Sequence, residues 1–180
     1  MNTRTYGPIR QIAWLVEDLD AAIRHWMEFA GVGPWTVYRN TTLNGHCRGV
    51  PTRVKMDVGL SYQDEVQIEL IQVTSRTPSP YQDAQGRTLV GMHHVAWLSR
   101  DIDGDVAQAR RRGLTAAFEA SNGVVRVAYM ESAAEPGLLL EFIEAAPVVL
   151  EGFAAGIQAA REWDGRSNPV SVIDFEAPSP

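Results

Sequence analysis

Hydrophobic positions along the first thirty residues change period once, and the change marks a strand running into a helix. Residues 9–16 alternate, which puts Gln11, Ala13 and Leu15 on one side and Ile12, Trp14 and Val16 on the other. Asp18 then caps a stretch in which Leu19, Ala22, Ile23, Trp26, Met27 and Ala30 fall at helical spacing, and Gly31 and Gly33 end it. The grammar returns later: a strand over 93–99, a cap at Asp101, an apolar stripe of Ile102, Val106 and Ala109, then Gly113. After each helix the pattern turns strand-like, over 53–60 and 66–73 in the first copy and over 124–130 and 137–143 in the second. The chain reads as a β-α-β-β-β unit used twice.

The letters repeat as well as the pattern. Residues 11–20 and 94–103 agree at five of ten positions, and Gln67-Ile68-Glu69-Leu70-Ile71 is echoed by Leu139-Leu140-Glu141-Phe142-Ile143. The expected organisation is a first module over 7–74, a linker over 75–90 rich in Pro, Ser, Gln and Asp, and a second module over 91–145. A C-terminal helix and tail follow over 146–180, outside the repeat. The segment 34–50, with Trp35, Tyr38, His46 and Cys47, reads as a long loop of the sort that often carries function. The expected class is α+β, in one compact domain.

Composition narrows the partners. A chain of 180 residues with 45% hydrophobic content buries a substantial core, and a formal charge of −6 argues against nucleic acid or an anionic membrane surface. The lone Cys47 excludes an internal disulfide, the first residues lack the apolar core of a signal peptide, and no apolar run reaches transmembrane length. A cytoplasmic protein acting on a small molecule is expected, as a homodimer through exposed sheet edges.

The repeated glutamates carry the chemistry. Glu69 stands between Ile68 and Leu70, and Glu141 between Leu140 and Phe142; burying an ionised carboxylate in such a strand demands compensation. Either glutamate alone is better read as a solvent-facing residue of a half-exposed strand. Together, each with an amide or imidazole upstream on the face away from the helices (Gln11, His94), they read as a divalent metal site with small alanines, Ala13 and Ala96, leaving room. In the doublet His93-His94, strand parity turns one ring inward, and the repeat selects His94, leaving His93 as an ordinary polar residue.

At Gln11, Glu69, His94 and Glu141, and in the strings Gly91-Met92-His93-His94-Val95-Ala96-Trp97 and Leu138-Leu139-Leu140-Glu141, the chain resembles the vicinal oxygen chelate superfamily. That superfamily includes glyoxalase I, methylmalonyl-CoA epimerase, extradiol dioxygenases and bleomycin-resistance proteins. The resemblance implies two paired modules forming a curved mixed sheet around one metal bound by Gln11, Glu69, His94 and Glu141. One nitrogen and three oxygens suit Zn, Ni, Co or Mn. It implies a metal-dependent isomerase, epimerase or lyase that abstracts a proton next to a bound carbonyl, with Glu141 as base and Glu69 as its counterpart. At the place of the epimerase branch's second glutamate this chain offers Asp57, and Trp35 is a candidate wall of the substrate pocket, with core or lid packing as the alternative. Gln11 in place of a first histidine disfavours an extradiol dioxygenase; a metal-free sequestering protein of the bleomycin-resistance type is the alternative.

Overall fold

The structure, a computed structural model, describes residues 5–177. Strand β1 (Gln11–Leu15), helix α1 (Leu19–Ala30), and strands β2 (Trp35–Cys47), β3 (Val50–Gln63) and β4 (Val66–Val73) come first. Strand β5 (Gly91–Ser99), helix α2 (Ile102–Arg111), and strands β6 (Thr115–Ser121), β7 (Arg126–Ser132) and β8 (Glu135–Glu144) repeat the order. Helix α3 (Pro147–Glu162) and strand β9 (Val170–Asp174) follow. Each helix of the repeat starts where a side chain satisfies its first free amides: Asp18 accepts from Ala21 N at 2.9 Å, and Asp101 from Gly104 N at 3.0 Å.

The sheet runs β3-β4-β1-β5-β8-β7-β6-β2-β9, and because β2 also pairs with β3 the first eight strands curl into a barrel. The two copies meet at an antiparallel seam, β1 against β5, flanked by parallel pairs β1–β4 and β5–β8. The segment 34–50, expected as a loop, is mostly β2, a 13-residue strand paired to β3. Its alternation is masked by a bulge between Tyr38 and Thr41, where Asn40 takes φ 59°, and by Gly45. Gly45 is required there, since a Cβ would lie 2.0 Å from the Glu119 carbonyl of β6.

Three packed clusters follow from strand parity. Leu19 and Ile23 of α1 cover Trp35, Val37, Ile68 and Leu70 on the outer face; Ile102, Val106 and Ala109 of α2 cover Ala128, Met130 and Phe142. The inner face of the barrel holds Leu15, Met56, Tyr62, Phe118, Tyr129 and Ile143. Helix α3 adds Val149, Phe153 and Ile157 to this inner cluster. Burying each is worth roughly 1.5–3 kcal/mol, which fixes the helix against the barrel.

Candidate functional site

The four sequence-selected donors stand in two neighbouring rows across the seam. In one, Gln67 of β4, Gln11 of β1, Ala96 of β5, Glu141 of β8 and Tyr129 of β7 are successive cross-strand partners. In the next, Glu69 of β4, Ala13 of β1 and His94 of β5 are. Both alanines are fully buried, and their methyl groups leave space above them into which the longer side chains lean.

The donors converge on one atom. His94 Nε2 lies 3.1 Å from Gln11 Oε1, 3.2 Å from Glu69 Oε2 and 3.0 Å from Glu141 Oε2. The imidazole is wholly buried, Gln11 and Glu141 nearly so, and the Glu69 side chain keeps 14% exposure. One N–H cannot serve three acceptors. Gln11 Oε1 meets hydrogen-bond geometry, while Glu141 Oε2, although close, has no hydrogen-bond partner among the described residues.

Outer residues hold these groups in place. Gln11 Nε2 donates to Gln67 Oε1 at 2.7 Å, and Gln67 Nε2 donates to the Tyr62 hydroxyl, so the Gln11 oxygen is the end turned to His94. On the other side His93 Nδ1 contacts His94 Nδ1 at 2.9 Å, and His93 Nε2 contacts the Pro80 carbonyl at 3.1 Å. His93 is therefore no ordinary polar residue at a strand start. The register pairs Ala13 with His94 but Trp14 with Met92, so His93 is the extra residue of a β-bulge, and the parity rule that separates neighbouring side chains lapses there. Tyr81, from the stretch read as a linker, is fully buried against His93 and shares a 3.0 Å hydrogen bond with Tyr129.

Electrostatics match this picture. Burial alone would lower His94, but Glu141 and Glu69 outweigh it and raise the imidazole to about 9. Burial pushes the Glu141 carboxyl up, opposed by His94 and by Tyr129, with the Glu69 charge adding to the rise. Burial, with His94 alongside, drives His93 down to about 3.

The sequence model of the glyoxalase/bleomycin resistance protein/dioxygenase superfamily matches residues 10–147. The chain belongs to this superfamily. Among solved structures, methylmalonyl-CoA epimerase from Mycobacterium tuberculosis superposes with a TM-score of 0.55 at 18% identity, over 84% of this chain and 96% of that one. A hypothetical protein from Bacillus halodurans superposes with a TM-score of 0.51 at 18% identity, over 76% of this chain and 93% of that one. No curated protein matches. At these identities the likeness is one of fold.

Superfamily membership makes the cation question pertinent. No group of three or more His, Cys, Asp and Glu among the described residues is already spaced to hold a metal ion; the carboxylates close onto the imidazole nitrogen itself. The donor set nonetheless fits one: a nitrogen and three oxygens, an orphaned buried carboxylate oxygen, and two carboxylates facing a single imidazole.

Two expectations are corrected. Trp35 does not approach the four donors; it is buried under α1 on the outer face, its Nε1 donating to Val32 O at 2.9 Å. Asp57 sits on the outer parity of β3, bound to Arg39 Nη1 at 2.9 Å and to Asn40 N at 2.8 Å, so it serves the bulge in β2. A surface cleft of about 470 Å3 between the end of α1, the β3–β4 turn and α3 has Tyr62 in its wall but none of the four donors. Gln67, Tyr62, Tyr81, Tyr129 and Pro80 were not singled out from sequence. Gln67 and Tyr129 were accessible by parity, since each neighbours a donor across a strand pair; Pro80 and Tyr81 carried no periodic signal. No helix among the described residues is long and apolar enough to cross a membrane.

Proposed function

We propose that the protein is a divalent-metal-dependent isomerase, epimerase or lyase that removes a proton next to a carbonyl of a small molecule. The observation that carries this reading is the buried His94 Nε2 ringed by three oxygens, one of them without a hydrogen-bond partner among the described residues. A Zn, Ni, Co or Mn ion held by Gln11, Glu69, His94 and Glu141 supplies, when bound, Lewis-acid polarisation of the substrate carbonyl. The protein's own residues do the rest. Glu141 accepts the proton: burial raises its carboxyl, which makes it a stronger base than a surface glutamate, and Tyr129 lies beside it to hold its position. Glu69, on the far side of Ala13 and the most exposed of the four, returns the proton or receives it from the opposite face. The apolar inner cluster keeps bulk water from the carbanion-like species.

Membership of a superfamily rich in such chemistry supports the reading, as does a fold shared with an acyl-CoA epimerase. Acyl-CoA compounds and the glutathione hemithioacetal of methylglyoxal are the two substrate classes to test. The metal content of the purified protein is measured first; then each substrate is incubated in D2O with wild type and Glu141→Gln. Wild type is expected to incorporate deuterium, and the variant to lose at least about a hundredfold in exchange, the scale of a lost general base, while keeping its fold. A protein free of metal and indifferent to chelators is instead a binding protein of the sequestering type, and exchange unchanged in Glu141→Gln removes that residue as base.

A further inference from the structure

His93 and Pro80 lie outside the donor set, yet they decide which nitrogen of His94 is free. A carbonyl oxygen only accepts, so the 3.1 Å contact with Pro80 O places a hydrogen on His93 Nε2. His93 is buried and meets no carboxylate among the described residues, so a second proton on its ring would be an uncompensated charge in an apolar setting. Its Nδ1 therefore offers a lone pair. The proton shared across the 2.9 Å gap to His94 Nδ1 must then belong to His94. With Nδ1 committed as a donor, the remaining lone pair of neutral His94 is on Nε2, the atom ringed by Gln11, Glu69 and Glu141.

We infer that His93, anchored by the Pro80 carbonyl, is a positioning residue that locks His94 in the tautomer whose Nε2 binds a divalent cation. The inference rests on the cation reading above and adds to it a residue that touches neither cation nor substrate. The β-bulge is the structural means, because without the extra residue His93 would point to the opposite face. It also assigns a task to the stretch between the copies: Pro80 supplies the anchor, and Tyr81 packs on the His93 ring at 5.0 Å between centroids to hold it. Ligating histidines generally need such an outer partner, and losing it weakens cation binding about 10–100-fold.

The test compares wild type with His93→Phe, which keeps an aromatic ring but has no acceptor, and His93→Asn, whose side-chain oxygen takes the place of Nδ1. Each protein is stripped with a chelator, checked for folding by circular dichroism, and titrated with Zn2+ and Co2+ against a chromophoric chelator. Wild type is expected to bind, His93→Phe to bind 10–100-fold more weakly, and His93→Asn to recover most of that loss. Nitrogen-15 spectra of histidine-labelled wild type with Zn2+ should show His94 protonated at Nδ1 and metallated at Nε2, a readout that stands even if His93→Phe does not fold. Metallation through Nδ1, or equal affinity in wild type and a folded His93→Phe, overturns the role of His93 and leaves the cation site standing. A wild type that takes up neither ion overturns the cation site, and the inference with it.

Discussion

Raising pH on metal-free protein should unfasten the site. In the chelated molecule the imidazole of His94 is clamped by Glu141 and Glu69, at 3.0 and 3.2 Å, and titrates at about 9 against 6.5 in an unfolded chain. The group is fully buried, so little solvent screening intervenes. At 1.36 kcal/mol per unit, the difference of 2.5 units is worth about 3 kcal/mol. Because the folded protein holds this proton more tightly than the unfolded chain does, the stabilisation is complete below pH 6.5. It disappears as pH rises through about 9. Urea unfolding of chelated protein at intervals between pH 6.5 and 9.5 reads the effect directly, and His94→Gln should flatten the profile. Protein loaded with a divalent cation should behave oppositely, binding the ion more tightly as the competing proton leaves. A chelated wild type whose unfolding free energy stays level within about 1 kcal/mol across that range refutes the carboxylate clamp.

Two substitutions away from the four donors probe how the site is supported. Gln67→Leu strands the Gln11 amide and the Tyr62 hydroxyl. It should reduce cation affinity by about 10–100-fold and stability by about 1–3 kcal/mol, measured by chelator competition and urea titration; unaltered affinity would show that Gln11 needs no outer partner. Gly156→Ala on α3 would place a Cβ 2.0 Å from the Tyr62 ring, forcing it to shift. Overpacking predicts a loss of about 1–3 kcal/mol, and displacement of Tyr62 should also weaken cation binding through Gln67, so a destabilised variant with full affinity would break that link.

The convergence of Gln11, Glu69, His94 and Glu141 was legible because they sit in strands whose period is fixed and whose sequence recurs: parity gave the face, and the repeat drew Glu69, His94 and Glu141 from among many polar residues. Helix ends were legible for a local reason, since Asp18 and Asp101 announce themselves as caps. What failed did so where period 2 is interrupted. The bulge at His93 turns a residue onto the face that alternation denies it, and the bulge at Asn40 disguises β2 as a loop. Trp35 stayed open between pocket wall and core packing because a tryptophan near a glycine-proline turn looks the same in sequence whether it faces the barrel interior or α1; the structure packs it under α1. Tyr81 and Pro80 were missed because a linker's tertiary contacts have no periodic trace at all.

On the proposed cation reading, a module of this kind offers two donors, too few to hold an ion, and the antiparallel seam supplies the rest. When a strand pairs antiparallel with its own copy, each donor faces the other copy's small residue: Gln11 meets Ala96, and His94 meets Ala13. The parallel neighbours then add one carboxylate beside each alanine, Glu69 at Ala13 and Glu141 at Ala96, and four donors surround a single point from two halves. Duplication reproduces positions in this way, but it cannot reproduce orientation. An amide needs an acceptor for its N–H2 group if its oxygen is to face inward, which Gln67 provides from within its own module. An imidazole needs an acceptor for Nδ1–H, which His93 provides with an anchor from the stretch between modules. Equivalent positions carry an amide in one copy and an imidazole in the other, which need different outer partners, so the repeat points to the donors while passing over the residues that aim them.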